Sequence, residues 1–526
     1  MYDIVLRNGL IVDGTRSVPY IGSVGIIGDR IEDISRDKEL VGKEEIDCTG
    51  LVISPGFIDL HTHSDACPLN DKSGESMVNQ GVTLQIGGNC GISLIPATVE
   101  NKDEISSFFA RTVEIVPDDK NIDLYNMGDY ISITNEKNQI INTGLLVGHG
   151  TLRAAVMGFD DRKANDEEME AMKVLLDKEL KGGAFGMSLG LIYPPSSYGD
   201  VEEFIELGKV IRDNEGIITT HMRDEGDGIF NSIDEMLEVA EKSGVHMHIS
   251  HLKLMGTPQW GRSQEVLDKI DKAREKGAII TADQYPYEAS ATGLAALVPS
   301  WALSGGNTKM LERLEERSPE LLKEIETIMN KRGGPSRVLI ASTNGSSPEF
   351  DGKYISDISQ EMNLDAVETV IQLLLKGKGA IAAVYFSMDM DDILNIMKSM
   401  DITIGSDGTD FSYDVSYNPH PRNFGTFPRF LKTVRETGIM TLEDGVYKIT
   451  ELPAMILGLV DRGVLRKGNL ADITVFDFNS ISDTATYIYS PVKPEGIIHV
   501  FVSGKPAILN GIPTENKGGQ ILLSTN

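Results

Sequence analysis

Hydrophobic and polar residues alternate at both ends of the chain, in short runs that Gly and Asp interrupt. The N-terminal runs "YDIVLRNGLIVDG", "SVGIIGDRIEDIS" and "LVISPG" show the period of two that is typical of half-buried β-strands. The same pattern returns in "ADITVFDF" and "IIHVFVSGKPAIL". The simplest interpretation is that residues 1–55 and 469–526 form one small β-sandwich, which encloses a large middle region.

The middle region, residues 56–468, alternates short apolar runs with charge-rich helical segments such as "DEEMEAMKVLLDKEL". The runs are "GFIDLHTH", "VTLQIGGNC", "TGLLVGHG", "GAFGMSLGLIY", "GIITTHMRDE", "VHMHISHLK", "AIITADQYPY" and "ITIGSDGTD". Strands that alternate with helices in this way predict an α/β fold, a (β/α)8 or TIM barrel with parallel strands.

The spacing between the seventh and eighth runs is much longer than between the others. Residues about 290–350, which include "LERLEERSPELLKEIETIMNKRGG", predict a helical insert between the last two barrel strands. Over the mouth of a barrel, such an insert would be a candidate lid. Its apolar start, "ATGLAALVPSWALSGG", would either line an acyl pocket or form the core of the insert.

The composition of the 526-residue chain, 40% hydrophobic and 24% charged, is that of a soluble globular protein. No apolar run approaches the ~18–20 residues of a membrane span, and the N-terminus lacks the zones of a secretory signal. Three cysteines, Cys48, Cys67 and Cys90, are too few and odd in number for a disulfide framework. We therefore expect a cytoplasmic protein without a membrane partner.

The net charge of −30 argues against nucleic acid as a partner, because nucleic acid needs a basic surface. The same charge repels an anionic substrate at long range. If the substrate is an anion, a few local Arg and Lys residues must overcome that field. The oligomeric state does not follow from these features.

Polar or titratable residues close every one of the eight runs, at the end of the strands where barrel active sites lie. In chain order they are His61 and His63, Cys90, His149, Ser188 and Tyr193, His221, His251, Asp283 with Tyr285, and Asp407. This clustering of histidines at strand ends is the strongest signal in the sequence.

His61 and His63 form an H-x-H pair, and residues two apart on a strand face the same side. Both imidazoles can therefore meet one metal, whereas an isolated pair would more often be solvated or packed in the core. A free cysteine such as Cys90 is most often a small buried hydrophobe. Imidazole and thiolate are the ligands that zinc prefers, so we predict that Cys90 binds metal with His221 and His251.

Asp407 follows the last predicted strand, where a carboxylate beside a metal is the expected general base. For His149 the pattern favours support of neighbouring ligands over direct metal binding. His246 and His248 are expected to be packing or surface residues.

Several segments together resemble the N-acyl-D-amino-acid deacylases (D-aminoacylases) of the amidohydrolase superfamily, and the resemblance covers essentially the whole chain. Its most specific motifs are "GGNCG", "THMRDEGD", "SHLK" and "DQYPY". Others are "LRNGLIVDGT", "SPGFIDLHTHSD", "SLGLIYPPSSY", "IGSDGTD", "HPRNFGTFPR" and "GVLRKGNLADITVFD".

The resemblance implies zinc-dependent hydrolysis of N-acyl-D-amino acids, which are small molecules, to a carboxylate and a free D-amino acid. By resemblance, Cys90, His221 and His251 hold one tight zinc ion, and His61 and His63 form a second, weak or empty site. Asp407 takes a proton from metal-activated water and passes it to the departing amine. Since no acyl-enzyme is needed, Ser188 and Ser250 are expected to be structural.

The substrate carboxylate needs cations and hydroxyl groups. In the family, the residues that match Lys253, Tyr285, Tyr193 and Arg422 contact this carboxylate. Arg223, two residues after a predicted ligand, matches a position for nearby polar contacts. The side chain and acyl group of the preferred substrate do not follow from the sequence.

Three alternatives stay open. A cyclic-amide hydrolase, similar to dihydroorotases or hydantoinases, would favour a metal-bridging lysine that the fourth run, "GAFGMSLGLIY", lacks. A dipeptidase for peptides with a C-terminal D-residue is a variant of the main hypothesis. A non-enzymatic relative would typically have lost its metal ligands, whereas the predicted ligands are all present here.

Overall fold

A computed structural model describes residues 1–70, 74–112, 115–119, 121–303, 306–415 and 417–524. Its first five strands are β1 (Tyr2–Ile11), β2 (Tyr20–Ile27), β3 (Arg30–Ser35), β4 (Gly42–Asp47) and β5 (Val52–Pro55). β1 pairs antiparallel with β2 and parallel with β4 and β5, so the N-terminal runs form strands where the sequence predicts them.

The next part of the chain alternates buried strands with helices. Its strands are β6 (Phe57–Asp59), β7 (Val82–Gly87), β8 (Asn142–Leu145), β9 (Val147–Gly148), β10 (Gly186–Gly190), β11 (Ile217–His221), β12 (His246–Ile249) and β13 (Ile280–Gln284). Its helices are α1 (Glu75–Asn79), α2 (Lys102–Thr112), α3 (Met127–Asn135), α4 (His149–Met157), α5 (Asp166–Lys181), α6 (Val201–Asp213), α7 (Ile229–Ser243) and α8 (Ser263–Glu275).

Local sequence explains these helices well, and α5 is an example. Asn165 and Glu168 form a capping box, in which each side chain binds the backbone N–H of the other residue. Met172, Leu176 and Leu180 follow at intervals of four and are buried together. This spacing places one apolar stripe against the strands and leaves the acidic first turn in water.

The segment between β13 and the last parallel strand has its own core. It contains β14 (Ser290–Gly293), α9 (Ser300–Leu303), α10 (Gly306–Glu316), α11 (Pro319–Lys331), β15 (Val338–Ser342), α12 (Ile355–Met362), α13 (Ala366–Lys376) and β16 (Ala382–Tyr385). β16 lies between β14 and β15 in an antiparallel sheet. The insert predicted for residues about 290–350 therefore includes strands as well as helices and reaches Tyr385, because its sheet needs β16.

The remaining elements are α14 (Met390–Lys398), β17 (Ile402–Ile404), α15 (Arg422–Thr437), α16 (Leu442–Lys448), α17 (Glu451–Ile456), β18 (Ile473–Phe476), β19 (Ile497–Val502), β20 (Lys505–Leu509) and β21 (Ile512–Pro513). β18 pairs with β5, so strands from both chain ends join in one nine-stranded sheet. Among the described residues, no helix combines the length and the apolar character that crossing a membrane requires.

The parallel strands lie in two groups, β6-β7-β8 and β9-β10-β11-β12-β13-β17. Only Leu146 separates β8 from β9, so one chain segment links the two groups. The outer strands of the two groups are β6 and β17. Just beyond them, the Asp407 N–H donates to the carbonyl oxygen of His61 at 2.8 Å. The His63 N–H donates to the carbonyl oxygen of Gly408 at 2.7 Å. The carboxyl ends of the first and last parallel strands therefore meet, and this is the edge that carries the polar side chains.

Candidate metal centre

Six predicted functional side chains converge at the carboxyl ends of the parallel strands. They are His61 and His63 after β6, Cys90 after β7, His221 at the end of β11, His251 after β12 and Asp407 after β17. One ligating atom each from His61, Cys90, His251 and Asp407 lies within 4.8 Å of the others, and all four residues are buried.

The Cys90 thiol occupies the middle of this cluster. Its Sγ lies 3.3 Å from Nε2 of His61 and 3.5 Å from Nε2 of His251. His221 joins through its Nδ1, which is 2.9 Å from Nε2 of His251. Burial alone would raise the pKa of the Cys90 thiol, but the positive charges of His61 and His251 hold it well below its usual value. A thiolate, the form that binds metal, is therefore favoured.

His63 and Asp407 lie on the other side of the cluster. Nε2 of His63 is 3.1 Å from Oδ1 of Asp407, and Nη1 of Arg422 is 2.6 Å from Oδ2 of the same carboxylate. Burial would raise the pKa of Asp407, but Arg422 and the neighbouring histidines hold it well below its usual value. Burial likewise opposes the charged form of His63, but its hydrogen bond with Asp407 helps to raise the pKa to about 9.

These distances fit a divalent metal with soft ligands. A tetrahedral zinc ion, with Zn–S of about 2.3 Å and Zn–N of about 2.0–2.1 Å, sets sulfur and nitrogen ligands about 3.5 Å apart. The two Sγ–Nε2 distances from Cys90, 3.3 and 3.5 Å, agree with that separation. Thiolate, imidazole and carboxylate are also the chemical types that zinc binds.

Three of the converging residues have left-handed backbone conformations. The φ angles of Cys90, His251 and Asp407 are 53°, 36° and 50°. Such angles are uncommon for residues other than glycine, and they concentrate at functional sites where the surrounding structure holds them.

Glycines around Cys90 explain how its loop reaches the centre. A Cβ atom on Gly190 would lie 1.9 Å from the carbonyl oxygen of Cys90, and one on Gly91 would lie 2.6 Å from the backbone nitrogen of Gly190. Ser188 holds the same loop, since its hydroxyl accepts a hydrogen bond from Gly91 N–H and donates to the carbonyl oxygen of Gly88. The backbones of this loop and β10 therefore touch without intervening side chains.

Glu225 is a buried carboxylate that the sequence analysis did not single out. Its Oε1 lies 2.7 Å from Nζ of Lys253 and 2.8 Å from Nδ1 of His251. Burial would raise the pKa of Glu225, but Lys253 and the neighbouring histidines lower it far more. The ionised carboxylate accepts a hydrogen bond from Nζ of Lys253, and both groups lie within hydrogen-bond distance of Nδ1 of His251, while Nε2 of that ring faces Cys90. The motif "THMRDEGD" contained this residue but gave no sign that it was buried.

Asp283 is a second buried carboxylate beside the ligands. Its oxygens lie 3.1–3.2 Å from Nδ1 of His61, 2.9 Å from Nε2 of His248 and 2.8 Å from the backbone nitrogen of His251. Burial would raise the pKa of Asp283, but His61 and His248 lower it strongly. The sequence places Asp283 at a polar strand end and predicts that His248 is a packing or surface residue. The structure buries His248 on the ligand side of β12.

Lys253 and Arg422, two of the residues predicted to bind the substrate carboxylate, lie against the ring of a third, Tyr285. Nζ of Lys253 lies 5.7 Å from the centre of the Tyr285 ring, and the Arg422 guanidinium lies 5.3 Å from it. The Tyr193 ring packs edge-on against His221, with ring centres 5.2 Å apart. All four of these residues therefore lie at the rim of the metal cluster.

Arg223 and His149 point elsewhere. The Arg223 guanidinium binds Glu235 at 2.9 Å and the carbonyl oxygens of Ser197 and Gly199. His149 lies 2.8 Å from Ser196 Oγ and 2.8 Å from Glu203, in a buried group outside the cluster. Both residues bind the segment that follows β10, which carries Tyr193.

Comparison with known proteins identifies the family. Residues 52–507 match the amidohydrolase family. The chain belongs to the amidohydrolase family. D-aminoacylase of Alcaligenes xylosoxydans xylosoxydans is 33% identical to this amidohydrolase over 525 residues, which cover 100% of this chain and 98% of the relative. N-acyl-D-glutamate deacylase of the same organism is 32% identical over 521 residues, which cover 99% and 96% of the two chains.

A solved structure agrees with these relatives. N-acyl-D-glutamate deacylase from Bordetella bronchiseptica, complexed with zinc and a phosphonate mimic of the tetrahedral intermediate, superposes with a TM-score of 0.81. The two sequences are 30% identical, and the superposition covers 99% of each chain. The resemblance to amidohydrolases and to D-aminoacylases that the motifs indicated is therefore confirmed.

Proposed function

We propose that this amidohydrolase cleaves the amide bond of N-acyl-D-amino acids and releases a carboxylate and a free D-amino acid. The observation that carries the proposal is the convergence of the Cys90 thiolate, the imidazoles of His61 and His251 and the Asp407 carboxylate within 4.8 Å at the strand ends. The D-amino-acid deacylases that match the full chain support the same substrate class.

Cys90, His221 and His251 hold one zinc ion in this proposal, and His61 and His63 form a second, weaker site. When bound, zinc supplies Lewis acidity, which lowers the pKa of water and polarises the scissile carbonyl group. Cys90 takes the place that a bridging lysine would have, and its thiolate neutralises more metal charge than an imidazole.

Asp407 carries the proton in this mechanism. Its ionised carboxylate accepts a proton from the attacking water, and it delivers that proton to the nitrogen of the departing amine. Nη1 of Arg422, 2.6 Å from Oδ2, keeps the carboxylate ionised and oriented. Oδ1 faces His61 and His63, and it accepts the proton of the water once metal holds these imidazoles and they no longer donate to it.

The substrate carboxylate binds at the Tyr285 side of the cluster, through Lys253, Arg422, Tyr285 and Tyr193. Charge-assisted hydrogen bonds of this kind are worth roughly 1.5–3 kcal/mol each, enough to anchor an anion against the acidic surface. Arg223 contributes at most polar contacts from the Tyr193 segment, because Glu235 holds its guanidinium.

We also infer a closed (β/α)8 barrel for residues 56–468, with a flanking β unit built from residues 1–55 and 469–526. The link between β8 and β9 and the two backbone hydrogen bonds between residues 61–63 and 407–408 support closure. A cytoplasmic location stays a prediction, supported by three free, buried cysteines.

Elemental analysis of the purified protein and its Cys90→Ala variant tests the proposal, together with assays on N-acetyl-D- and L-amino acids. We expect about one zinc per chain and D-selective deacylation, both lost in C90A. Cys48→Ala is the matched control, because Cys48 is also buried but lies in the terminal β unit.

Retention of both zinc and activity by C90A would contradict the proposed thiolate site. Ring opening of dihydroorotate or a hydantoin without acyl release would instead favour the cyclic-amide alternative.

A further inference from the structure

We propose that His248 and Thr281 are positioning residues that fix the ring tautomer of His61, and that they do so through Asp283. The inference rests on the proposed metal centre and assigns a role to a line of polar side chains below it. For His248 and Thr281, no hydrogen bond to a predicted metal ligand is found among the described residues.

The line runs down two neighbouring strands. His246 and His248 lie on β12, Thr281 and Asp283 lie on β13, and His248 pairs with Thr281 in the parallel register. Residues two apart on a strand face the same side. Met247 and Ile249 pack with the surrounding helices in the large core cluster, so these four polar side chains face the opposite side.

The Asp283 carboxylate determines which nitrogen atoms of His61 and His248 donate hydrogen bonds to it. An ionised carboxylate only accepts, so each group that binds it must donate. Nδ1 of His61 and Nε2 of His248 therefore both carry protons toward Asp283, at 3.1 and 2.9 Å from Oδ2.

The Thr281 hydroxyl forms the next hydrogen bonds in the line. Since Nε2 of a neutral His248 is the donor, its Nδ1 must accept, and the group 2.8 Å away is the Thr281 hydroxyl. That hydroxyl has one proton, which it gives to His248. Its oxygen then accepts from Nε2 of His246, also 2.8 Å away. Every hydrogen bond in the line therefore points the same way, from His246 through Thr281 and His248 to Asp283.

The consequence lies at His61. With its Nδ1–H donating to Asp283, His61 presents Nε2 to the cluster, 3.3 Å from Sγ of Cys90 and 3.4 Å from Oδ1 of Asp407, and this nitrogen gives up any proton it carries when metal binds. The opposite tautomer would direct an N–H at the position where a metal binds. Partners of this kind fix the orientation and raise the basicity of a histidine ligand.

Thr281 offers a sharp test, because valine removes its hydroxyl and keeps its shape. We expect Thr281→Val to weaken zinc binding at the His61–His63 site several-fold and Thr281→Ser to preserve it. His248→Leu, one step nearer, should weaken it by about 10–100-fold. Binding is measured by competition with a chromophoric chelator as the second equivalent of zinc is added.

Thr403→Val is the matched control. Thr403 pairs with Asp283 on the adjacent strand β17, but its hydroxyl donates to the carbonyl oxygen of Lys448. This variant also loses one hydrogen-bonded hydroxyl and should leave zinc binding unchanged. Equal weakening in T403V and T281V would overturn the inference, and so would wild-type affinity in T281V.

A second measurement needs no variant. In zinc-loaded protein labelled with ¹⁵N-histidine, long-range ¹H–¹⁵N spectra should show the proton of His61 at Nδ1 and that of His248 at Nε2. The opposite tautomer at either ring would overturn the inference. Absence of any zinc binding in the wild-type protein would instead refute the proposed metal centre, and this inference with it.

Discussion

Glu225 shows how much of the site depends on a residue that is neither a predicted ligand nor a predicted substrate contact. It holds Nζ of Lys253 at 2.7 Å and Nδ1 of His251 at 2.8 Å, so it links one proposed substrate group to one proposed metal ligand. Loss of its charge would leave a buried lysine without its counter-ion, which is costly in a low-dielectric environment.

We expect Glu225→Gln to lower both zinc affinity and kcat/KM by about 10–100-fold, because the amide keeps the shape and loses the charge. Chelator competition and steady-state kinetics measure the two effects. Glu238→Gln is the control, since Glu238 forms an exposed ion pair with Lys242 on α7. Wild-type zinc affinity in E225Q would contradict the role given to Glu225.

The ligands were predictable at this scale because each lies at or just beyond the end of an apolar run, where the polar side chains of a barrel collect, and because residues two apart on a strand share a face. Arg223 and Lys253 were placed by the same rule of i+2, but β11 ends at His221 and β12 ends at Ile249. Beyond those ends the rule no longer fixes the direction of a side chain: Lys253 still lies beside His251, whereas Arg223 turns to Glu235. The partners of Asp283 depend on contacts between strands far apart in sequence, so no local pattern indicates them.

Among the elements, β10 and the Cys90 loop are in direct backbone contact. A Cβ on Gly190 would lie 1.9 Å from the Cys90 carbonyl oxygen. Because the atom it meets belongs to the backbone, no flexible side chain can move aside to make room. We expect Gly190→Ala to displace the loop and to abolish stoichiometric zinc binding, measured by elemental analysis. Gly445→Ala on α16, where the nearest atom is 3.5 Å from the added Cβ, should retain full metal content.

The C-terminal end of α16 places Lys448 in the protein interior. Burial lowers its pKa to about 7, and its ammonium group donates to the carbonyl oxygen of Ser399. The unfolded chain, with a lysine pKa of about 10.4, binds more protons than the folded protein between these two values. Stability therefore rises with pH across that window, by up to ~1.4 kcal/mol per pH unit from this group.

We expect Lys448→Met to remove this dependence. Relative to wild type, the variant should gain most stability below about pH 7 and lose the advantage as the pH approaches 10. Urea unfolding midpoints at several pH values measure the difference. A stability difference that does not change with pH would show that Lys448 stays charged in the folded protein.

Element prediction was most successful where one periodicity persisted, as in α5 and β1. The insert was harder, because β15 and β16 are four or five residues long and lie among helices. Their runs "VLIAS" and "AAVY" do not alternate, so the sequence offers no face to assign. Only their pairing with each other and with β14 shows that they are strands.

For the whole molecule, the net charge of −30 opposes the approach of an anionic N-acyl-D-amino acid. Salt screens charges separated by more than a Debye length, but it has little effect on buried pairs such as Asp407 and Arg422. We expect kcat/KM to rise roughly two- to tenfold between about 10 and 150 mM salt. Inhibition by the zwitterionic D-amino acid product is the control and should change little, and a fall in kcat/KM with salt would contradict the prediction.

The hydrogen bonds between residues 61–63 and 407–408 also bear on how the protein is made. During synthesis, the ribosome releases the histidine pair and Cys90 long before Asp407 exists. A nascent chain that stalls before residue 407 holds most of the zinc-binding side chains but lacks the strand and carboxylate that close the site. The proposed zinc ligands are thus complete in the sequence by His251, whereas the carboxylate that carries the proton comes only with the last parallel strand.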